Sequence, residues 1–177
     1  MPITISGSGT MGTMAQGGVT GSATITAMTA QASTSGTTID FTSIPSWVRR
    51  ITVIFSGVST SSTSPVIIQL GTSGGIDSAS YLSTSQNAAT GSTAVTAGFS
   101  IAATSAAANL LTGNVFLYNV TGNTWIESGD IAQSPGTSSN VNSSGGSKAL
   151  SGTLDRIRIT TVSGDTFDAG TINVFYE

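Results

Sequence analysis

The chain is a series of short runs in which apolar and polar side chains alternate, a period typical of β-strands. The clearest run spans residues 47–55. One of its two phases is the more apolar, and we expect that phase to face a core: Trp47, Arg49, Ile51, Val53 and Phe55. Runs of the same kind follow at 66–70, 79–82, 94–101, 110–120, 124–127, 154–162 and 171–176. A helical period is nearly absent.

Two connections between these runs predict hairpins. Thr121-Gly122-Asn123 separates two β-rich runs, and its Gly and Asn tolerate the positive φ that tight turns need. Near the end of the chain, alternating residues of 157–161 and 172–176 share one apolar phase across the connection 163–170. We expect these two runs to pair and to hold the last strand inside a sheet.

Many short strands separated by Ser, Thr, Gly and Asn turns predict an all-β fold. We expect an antiparallel β-sandwich of jelly-roll type, with about eight strands, over residues 37–177. Residues 1–36 differ, because the first charged residue of the chain is Asp40. They are predicted to form an extended, uncharged N-terminal arm, and the alternative is a loose Ser/Gly linker. The arm is expected to dock on a neighbouring protein through its apolar side chains: Ile3, Ile5, Met11, Met14, Ile25 and Met28.

The run 110–120 is apolar on both faces. Leu111, Val115 and Leu117 occupy one phase, and Phe116 and Tyr118 the other. Such a strand lies either at the centre of a sandwich or beneath a neighbouring subunit. We favour the subunit, and we expect these five residues to form the interface of a homo-oligomer, with a trimer as the expected form.

The composition excludes several classes of function. The chain of 177 residues has 5 Lys+Arg and 8 Asp+Glu, a net charge of −3, and neither His nor Cys. Zinc sites built on His or Cys, Ser-His-Asp triads, thiol nucleophiles and disulfides are therefore excluded. Five basic residues are too few for binding to the phosphate backbone of a nucleic acid. No apolar run is long enough to span a bilayer, and the first residues do not resemble a secretory signal. We expect no catalytic residue, no cofactor and no bound metal.

The acidic residues and the tryptophans are the remaining candidates for a functional site, and each also has a simpler structural interpretation. Asp165 and Asp168 share one loop and could bind a hard cation, although Asp in a strand connection is more often a turn former. Glu127 and Asp130 could act as the carboxylate pair of a glycosidase, although hairpin ends commonly carry acids. Exposed Trp side chains suit sugar stacking. Each Trp lies in an apolar phase, so we expect both in the core.

Two stretches carry a resemblance to a known family. They are TIDFTSIPSWVRRITVIFSGV at 38–58, and DRIRIT at 155–160 with DTFDAGTINV at 165–174. Together they resemble the β-rich domain of tail-fibre and related virion proteins of tailed bacteriophages, and the opening MPITISGSGT is similar to the start of such proteins. The resemblance implies a structural component at the tail or capsid surface of a virion. Only residues 11–36 stand where long fibres carry a shaft, which favours a short fibre or a capsid protein.

The leading hypothesis is a short tail-fibre or tip protein that binds other virion proteins through its arm. Its polar loops at 59–64 and 134–147 are expected to contact the host surface, with a glycan as a candidate ligand. The alternative is a capsid decoration (cement) protein whose arm threads between shell subunits. A third class is a polysaccharide depolymerase, which needs paired carboxylates in a cleft. No contact with nucleic acid and no membrane insertion are expected.

Overall fold

The computed structural model describes residues 24–88, 91–103, 107–134 and 139–177. This part of the chain contains no helix, and therefore no helix that could cross a lipid bilayer. Its strands are β1 (Thr26–Ala27), β2 (Gln31–Ala32), β3 (Thr38–Thr42), β4 (Arg50–Thr60), β5 (Val66–Thr72), β6 (Gly75–Ile76), β7 (Leu82–Asn87), β8 (Gly91–Ala94), β9 (Phe99–Ser100), β10 (Leu110–Thr121), β11 (Thr124–Ser134), β12 (Asn140–Ala149), β13 (Arg156–Thr161) and β14 (Phe167–Tyr176).

The strands form two antiparallel sheets. Sheet A has the order β1-β14-β4-β10-β11-β12-β7-β8, with β2 also paired to β14. Sheet B has the order β3-β13-β5-β6, with β9 also paired to β5. The predicted all-β, sandwich-like fold is confirmed. The jelly-roll connectivity stays a prediction. The expected number of about eight strands is too low, since it did not include several strands that have only two residues.

The core lies between the sheets and follows the predicted alternation. On β4, Ile51, Val53 and Phe55 are buried, as the phase of the run indicated. Their neighbours on β10 and β14 are Val115 and Val174, which pair with Val53 on either side. Sheet B contributes the buried residues Ile39, Phe41, Val66, Ile68, Leu70, Ile157 and Ile159. β-branched residues dominate this set, which suits a pleated surface that is covered on one side.

One predicted hairpin is confirmed and the other is wrong. β10 and β11 pair through Thr121 and Thr124, and Gly122 in the turn has a φ of 52°. By contrast, β13 pairs with β3 and β5 in sheet B, whereas β14 pairs with β4 in sheet A. The two strands share an apolar phase because both face the same core from opposite sheets. Periodicity alone does not distinguish that arrangement from a hairpin.

Two polar strands differ from the sequence prediction. The run expected at 79–82 is replaced by β7, and most of the loop expected at 134–147 is β12, which pairs with β11 and β7. Residue 146 of β12 has no room for a side chain. A Cβ at Gly146 would lie 2.9 Å from Phe99 Cδ1 and 2.5 Å from Leu82 O. The Phe99 side chain of β9, which pairs with β5 in sheet B, packs over this glycine of sheet A.

Part of the predicted arm belongs to the β-domain of its own chain. β1 and β2 pair with β14, and the Met28 N–H donates to Val174 O at 2.8 Å. Ser33 is fully buried and its hydroxyl donates to Ala169 O at 2.8 Å. The boundary expected at residue 36 is therefore wrong for residues 24–33, which satisfy the hydrogen bonds of an exposed sheet edge.

Candidate functional site

The outward face of sheet A carries apolar side chains near its centre. Tyr118 of β10 lies opposite Ile126 of β11, and Phe116 lies opposite Thr52 of β4. The Phe116 and Tyr118 rings stack with centroids 6.1 Å apart. Ile54, Tyr118 and Ile126 are 37%, 36% and 41% exposed. We call Ile54, Phe116, Tyr118 and Ile126 the outer patch.

The structure divides the predicted oligomer interface into two sets. Leu111, Val115 and Leu117 are fully buried in the core of their own chain. The expectation that they contact another subunit is therefore wrong, because the second sheet already covers this phase of β10. Phe116 and Tyr118 point to the opposite side of the strand and belong to the outer patch. The apolar character of β10 on both faces thus has two separate causes.

Most of the predicted anchoring side chains lie outside the described residues: Ile3, Ile5, Met11 and Met14. Of the other two, Ile25 is 59% exposed. Met28 is partly buried and packs against the chain's own core. Its expected role as an anchor for another virion protein is not supported by that contact, because the side chain is engaged within its own domain.

The two tryptophans have different environments. Trp125 on β11 is 3% exposed, which confirms the expected core position. Trp47 is 56% exposed, so the expectation of a core position is wrong. The physical reason is that β4 begins only at Arg50, so Trp47 lies in the preceding turn and outside the alternation of the strand. Its ring packs edge to face on Tyr176, with centroids 5.7 Å apart.

A pocket of about 110 Å³ opens beside the turn that carries Trp47. We call it the end pocket, since it lies between connections at one end of the sandwich-like domain. The first connection is the turn at 45–49, the second is the β10–β11 turn, and the third precedes β13. The lining residues are Pro45, Ser46, Val48, Arg49, Asn119, Gly122, Asn123, Trp125, Thr153 and Leu154. Val48, Trp125 and Leu154 are buried behind this lining, and the surface that the pocket exposes is mainly polar.

Glu127 is a buried acid that points between the sheets. It is 3% exposed, and the Ser144 hydroxyl donates to its Oε1 at 2.6 Å. Its Oε2 is buried and has no hydrogen-bond partner among the described residues. Burial raises the pKa of Glu127 to about 7, and the hydrogen bond from Ser144 opposes this rise. The neutral and charged forms of this side chain are therefore both populated near pH 7.

The candidate carboxylate pair does not form a common site. Asp130 is three residues from Glu127 on the same strand, is exposed on the outward face of sheet A, and accepts a hydrogen bond from Ser143 Oγ at 2.6 Å. The two acids lie on opposite faces of β11. A glycosidase needs both carboxyl groups on the two sides of one sugar bond, so this pair does not supply that geometry.

The acidic loop has the contacts of a turn former. The Ser64 N–H donates to Asp165 Oδ2 at 3.0 Å, and the Ser59 hydroxyl donates to Asp168. Asp165 thus ties its loop to the connection between β4 and β5, as expected for Asp in a strand connection. Among the described residues, no group of three or more His, Cys, Asp or Glu side chains is arranged to hold a metal ion.

The loops expected to face a host surface are largely structured. Residues 59–60 end β4, and 140–147 lie within β12. The prediction of a long polar loop at 134–147 is therefore wrong for 140–147, where serines alternate in and out of a sheet. The end pocket was missed by the sequence analysis. Its two turns were recognisable from Pro45 and Gly122, but their proximity depends on the tertiary fold.

No protein-family model matches the chain, and no curated protein or solved structure is significantly similar to it.

Proposed function

We propose that the chain is a structural protein of a bacteriophage virion, a short tail-fibre or tip protein that acts as a homo-oligomer at the host surface. The virion assignment rests on the resemblance of segments 38–58 and 155–174. In the structure these segments form β3, β4, β13 and β14, each of which contributes buried side chains to the core. The resembling residues are thus structural ones, which agrees with a structural role.

The observation that carries the oligomer is the outer patch. In a chain with 7% charged residues, three of its side chains expose more than a third of their surface on one sheet face, and Phe116 lies between Ile54 and the neighbouring pair Tyr118 and Ile126. Aromatic and large aliphatic residues are enriched at the centres of protein interfaces. Arg50 and Asp130 stand at opposite margins of the patch, so a second copy related by a rotation can place opposite charges together.

The attachment role belongs, in this proposal, to residues 1–23. Their sequence holds three of the four methionines together with Ile3 and Ile5, and it precedes β1, which pairs with β14. We propose no catalytic activity, which is supported by the positions of Glu127 and Asp130 on opposite faces of β11. Purified protein should release no sugar from host polysaccharide. Release that Glu127→Gln abolishes would contradict this part of the proposal.

The oligomer is tested by light scattering on the purified full chain at micromolar concentration. We expect a multimer for the native chain and a monomer for the double variant Phe116→Asn/Ile126→Asn. Val162→Asn is the matched control, since Val162 is 47% exposed but lies outside the outer patch. Circular dichroism establishes that each variant is folded. A native monomer, or an unchanged mass for the double variant, would overturn the interface.

The virion assignment is tested by quantitative mass spectrometry of purified particles. Tens of copies per particle support the tail-fibre proposal, whereas hundreds of copies support the alternative of a capsid decoration protein. Absence of the protein from purified particles contradicts both. Deleting residues 1–23 should prevent incorporation while leaving the melting transition of the purified protein nearly unchanged. Normal incorporation of this variant would show that the anchor lies in the β-domain.

A further inference from the structure

Arg49 differs from the other cationic side chains of the protein. All five Lys and Arg residues fall within the described ranges, and four of them form ion pairs: Arg50 with Glu177, Lys148 with Asp77, Arg156 with Asp155 and Arg158 with Asp40. Arg49 has no carboxylate partner within this described set. It is exposed and lines the end pocket, whose lining residues include no acid. The end pocket therefore carries one cationic side chain that no carboxylate neutralises among the described residues.

The Arg49 side chain is held in place without losing its capacity to bind an anion. Its Nη1 donates to Val48 O at 3.0 Å and to Ser46 O at 3.3 Å, both in the turn that borders the pocket. A guanidinium has five N–H donors, so the Nε and Nη2 groups keep theirs. Donors in this fork geometry match the two oxygens of a carboxylate.

The other walls of the end pocket offer small polar groups. Asn119 Nδ2 donates to Gly122 O at 2.9 Å, which fixes the amide and leaves its Oδ1 as an acceptor. The side chains of Asn123 and Thr153 make no hydrogen bond to another residue in the described part of the chain. These amide and hydroxyl groups can both donate to and accept from a ligand hydroxyl.

We propose that the end pocket binds one carboxylated sugar residue, such as a hexuronic acid, of a host cell-surface polysaccharide. The carboxylate contacts Arg49, and the ring hydroxyls contact Asn119, Asn123 and Thr153. A volume of about 110 Å³ holds several water molecules, which suits the polar edge of a single ring and not a longer chain.

Trp47 gives the site a way to bind the next part of such a polysaccharide. It lies between Ser46 and Val48, two lining residues, and its ring is fixed against Tyr176 while 56% of the side chain is exposed. An ordered aromatic ring contributes contact area with little loss of side-chain entropy. The tryptophan that was expected in the core is thus a candidate stacking surface beside the pocket.

Only the biological source of the sugar rests on the proposed function, so the pocket is tested with purified protein and small ligands. Saturation-transfer NMR titrations of the full chain near neutral pH use D-glucuronate, N-acetylneuraminate and D-glucose. We expect saturable binding of at least one acidic sugar, and binding of glucose at least about tenfold weaker because it lacks the charge-assisted bonds. No saturable binding of either acid, or equal binding of glucose, would overturn the proposal.

Three substitutions locate the binding. Arg49→Gln should weaken binding of the acidic sugar about tenfold or more, whereas Asn123→Ala should weaken acidic and neutral sugars alike. Arg158→Gln is the control, because it also removes one positive charge, but this arginine is ion-paired with Asp40 and does not line the pocket. It should leave binding unchanged. An effect of Arg158→Gln equal to that of Arg49→Gln would indicate attraction by net charge and would contradict the pocket. These outcomes do not depend on whether the protein is found in virions.

Discussion

The interior beneath β4, β10 and β14 is apolar, whereas the interior beneath β11, β12 and β7 is largely polar. The first half contains Phe55, Val115 and Val174, all at most 1% exposed. The second half buries a set of polar and charged side chains: Ser83, Ser85, Asn87, Ser100, Glu127, Gln133, Asn142 and Lys148. Both halves belong to sheet A, so one sheet is stabilised in two different ways.

The difference shows how a chain with few large apolar residues completes its interior. Asn142 is fully buried and accepts from Asn87 Nδ2 at 3.0 Å and from the Ala103 N–H at 3.2 Å. Lys148 is 4% exposed, donates to Ala79 O at 2.6 Å and pairs with Asp77 at 2.7 Å. Buried polar groups are tolerated when their hydrogen bonds are satisfied. Burial of apolar side chains in the first half therefore provides most of the free energy that stabilises the fold. The hydrogen bonds of the second half fix the positions of its buried polar side chains.

The largest expected effect comes from the apolar half. Phe55→Ala removes a ring that is 1% exposed from the centre of β4, and it should lower the free energy of unfolding by about 3–5 kcal/mol. Urea unfolding at fixed protein concentration measures this change. Val162→Ala is the control, since Val162 is 47% exposed, and it should change the stability by less than about 0.5 kcal/mol. Similar losses for both variants would mean that the apolar half does not dominate stability.

A smaller effect with a definite pH dependence comes from Glu127 in the polar half. Its pKa rises from 4.5 to about 7 in the folded protein, so folding retains a proton that the unfolded chain releases. Stability should therefore fall as the pH rises from about 4.5 to about 7, by up to about 3 kcal/mol, and stay level above that range. Below about pH 4.5 both states are protonated and the penalty disappears.

Glu127→Gln tests this dependence by removing the ionisable group with little change of shape. The variant should match the native chain near pH 4 and exceed it near pH 8, where the native chain carries the cost of a buried charge. Lys148 lowers the pKa of Asp77 from 3.8, so the contribution of Asp77 changes only at more acidic pH. Parallel stability profiles of the two proteins between pH 4 and 8 would show that the Glu127 carboxyl is solvated.

The contrast between the two halves also explains what the sequence predicts. The phase of Ile51, Val53 and Phe55 was predictable because a β-branched run has one apolar side. β12 was missed because its inward residues are Asn, Ser, Gly and Lys, which are typical of loops. The buried side chains of β12 are held in the interior by hydrogen bonds and not by apolar contacts. No local pattern distinguishes a serine that faces Glu127 from one that faces water.

The candidate sites follow the same division. The position of Phe116 and Tyr118 on the face opposite to Leu111, Val115 and Leu117 was predictable from the alternation along β10, whereas their role in an interface stays a prediction. Leu111, Val115 and Leu117 were assigned to that interface because sequence alone does not show that sheet B covers them. The end pocket depends on Arg49, Asn119 and Thr153, which are far apart in sequence and have no shared motif. Its polar groups meet only because three connections lie at the same end of the domain.

The smallest expected effect concerns two serines in the polar half. Ser85 Oγ and Ser100 Oγ are fully buried and lie 2.7 Å apart, and the Ser100 N–H donates to Ser83 Oγ at 2.8 Å. Ser85→Ala removes one partner and should cost about 1 kcal/mol, because Ser100 keeps a contact to Ala102 O at 3.3 Å. Ser100→Ala should cost a similar amount.

The double variant Ser85→Ala/Ser100→Ala should lower the free energy of unfolding by less than the sum of the two single variants, since no hydroxyl is then left without its partner. Urea unfolding of the four proteins gives the coupling energy, which we expect to be about 1 kcal/mol. Strictly additive losses would mean that the two hydroxyls do not stabilise each other.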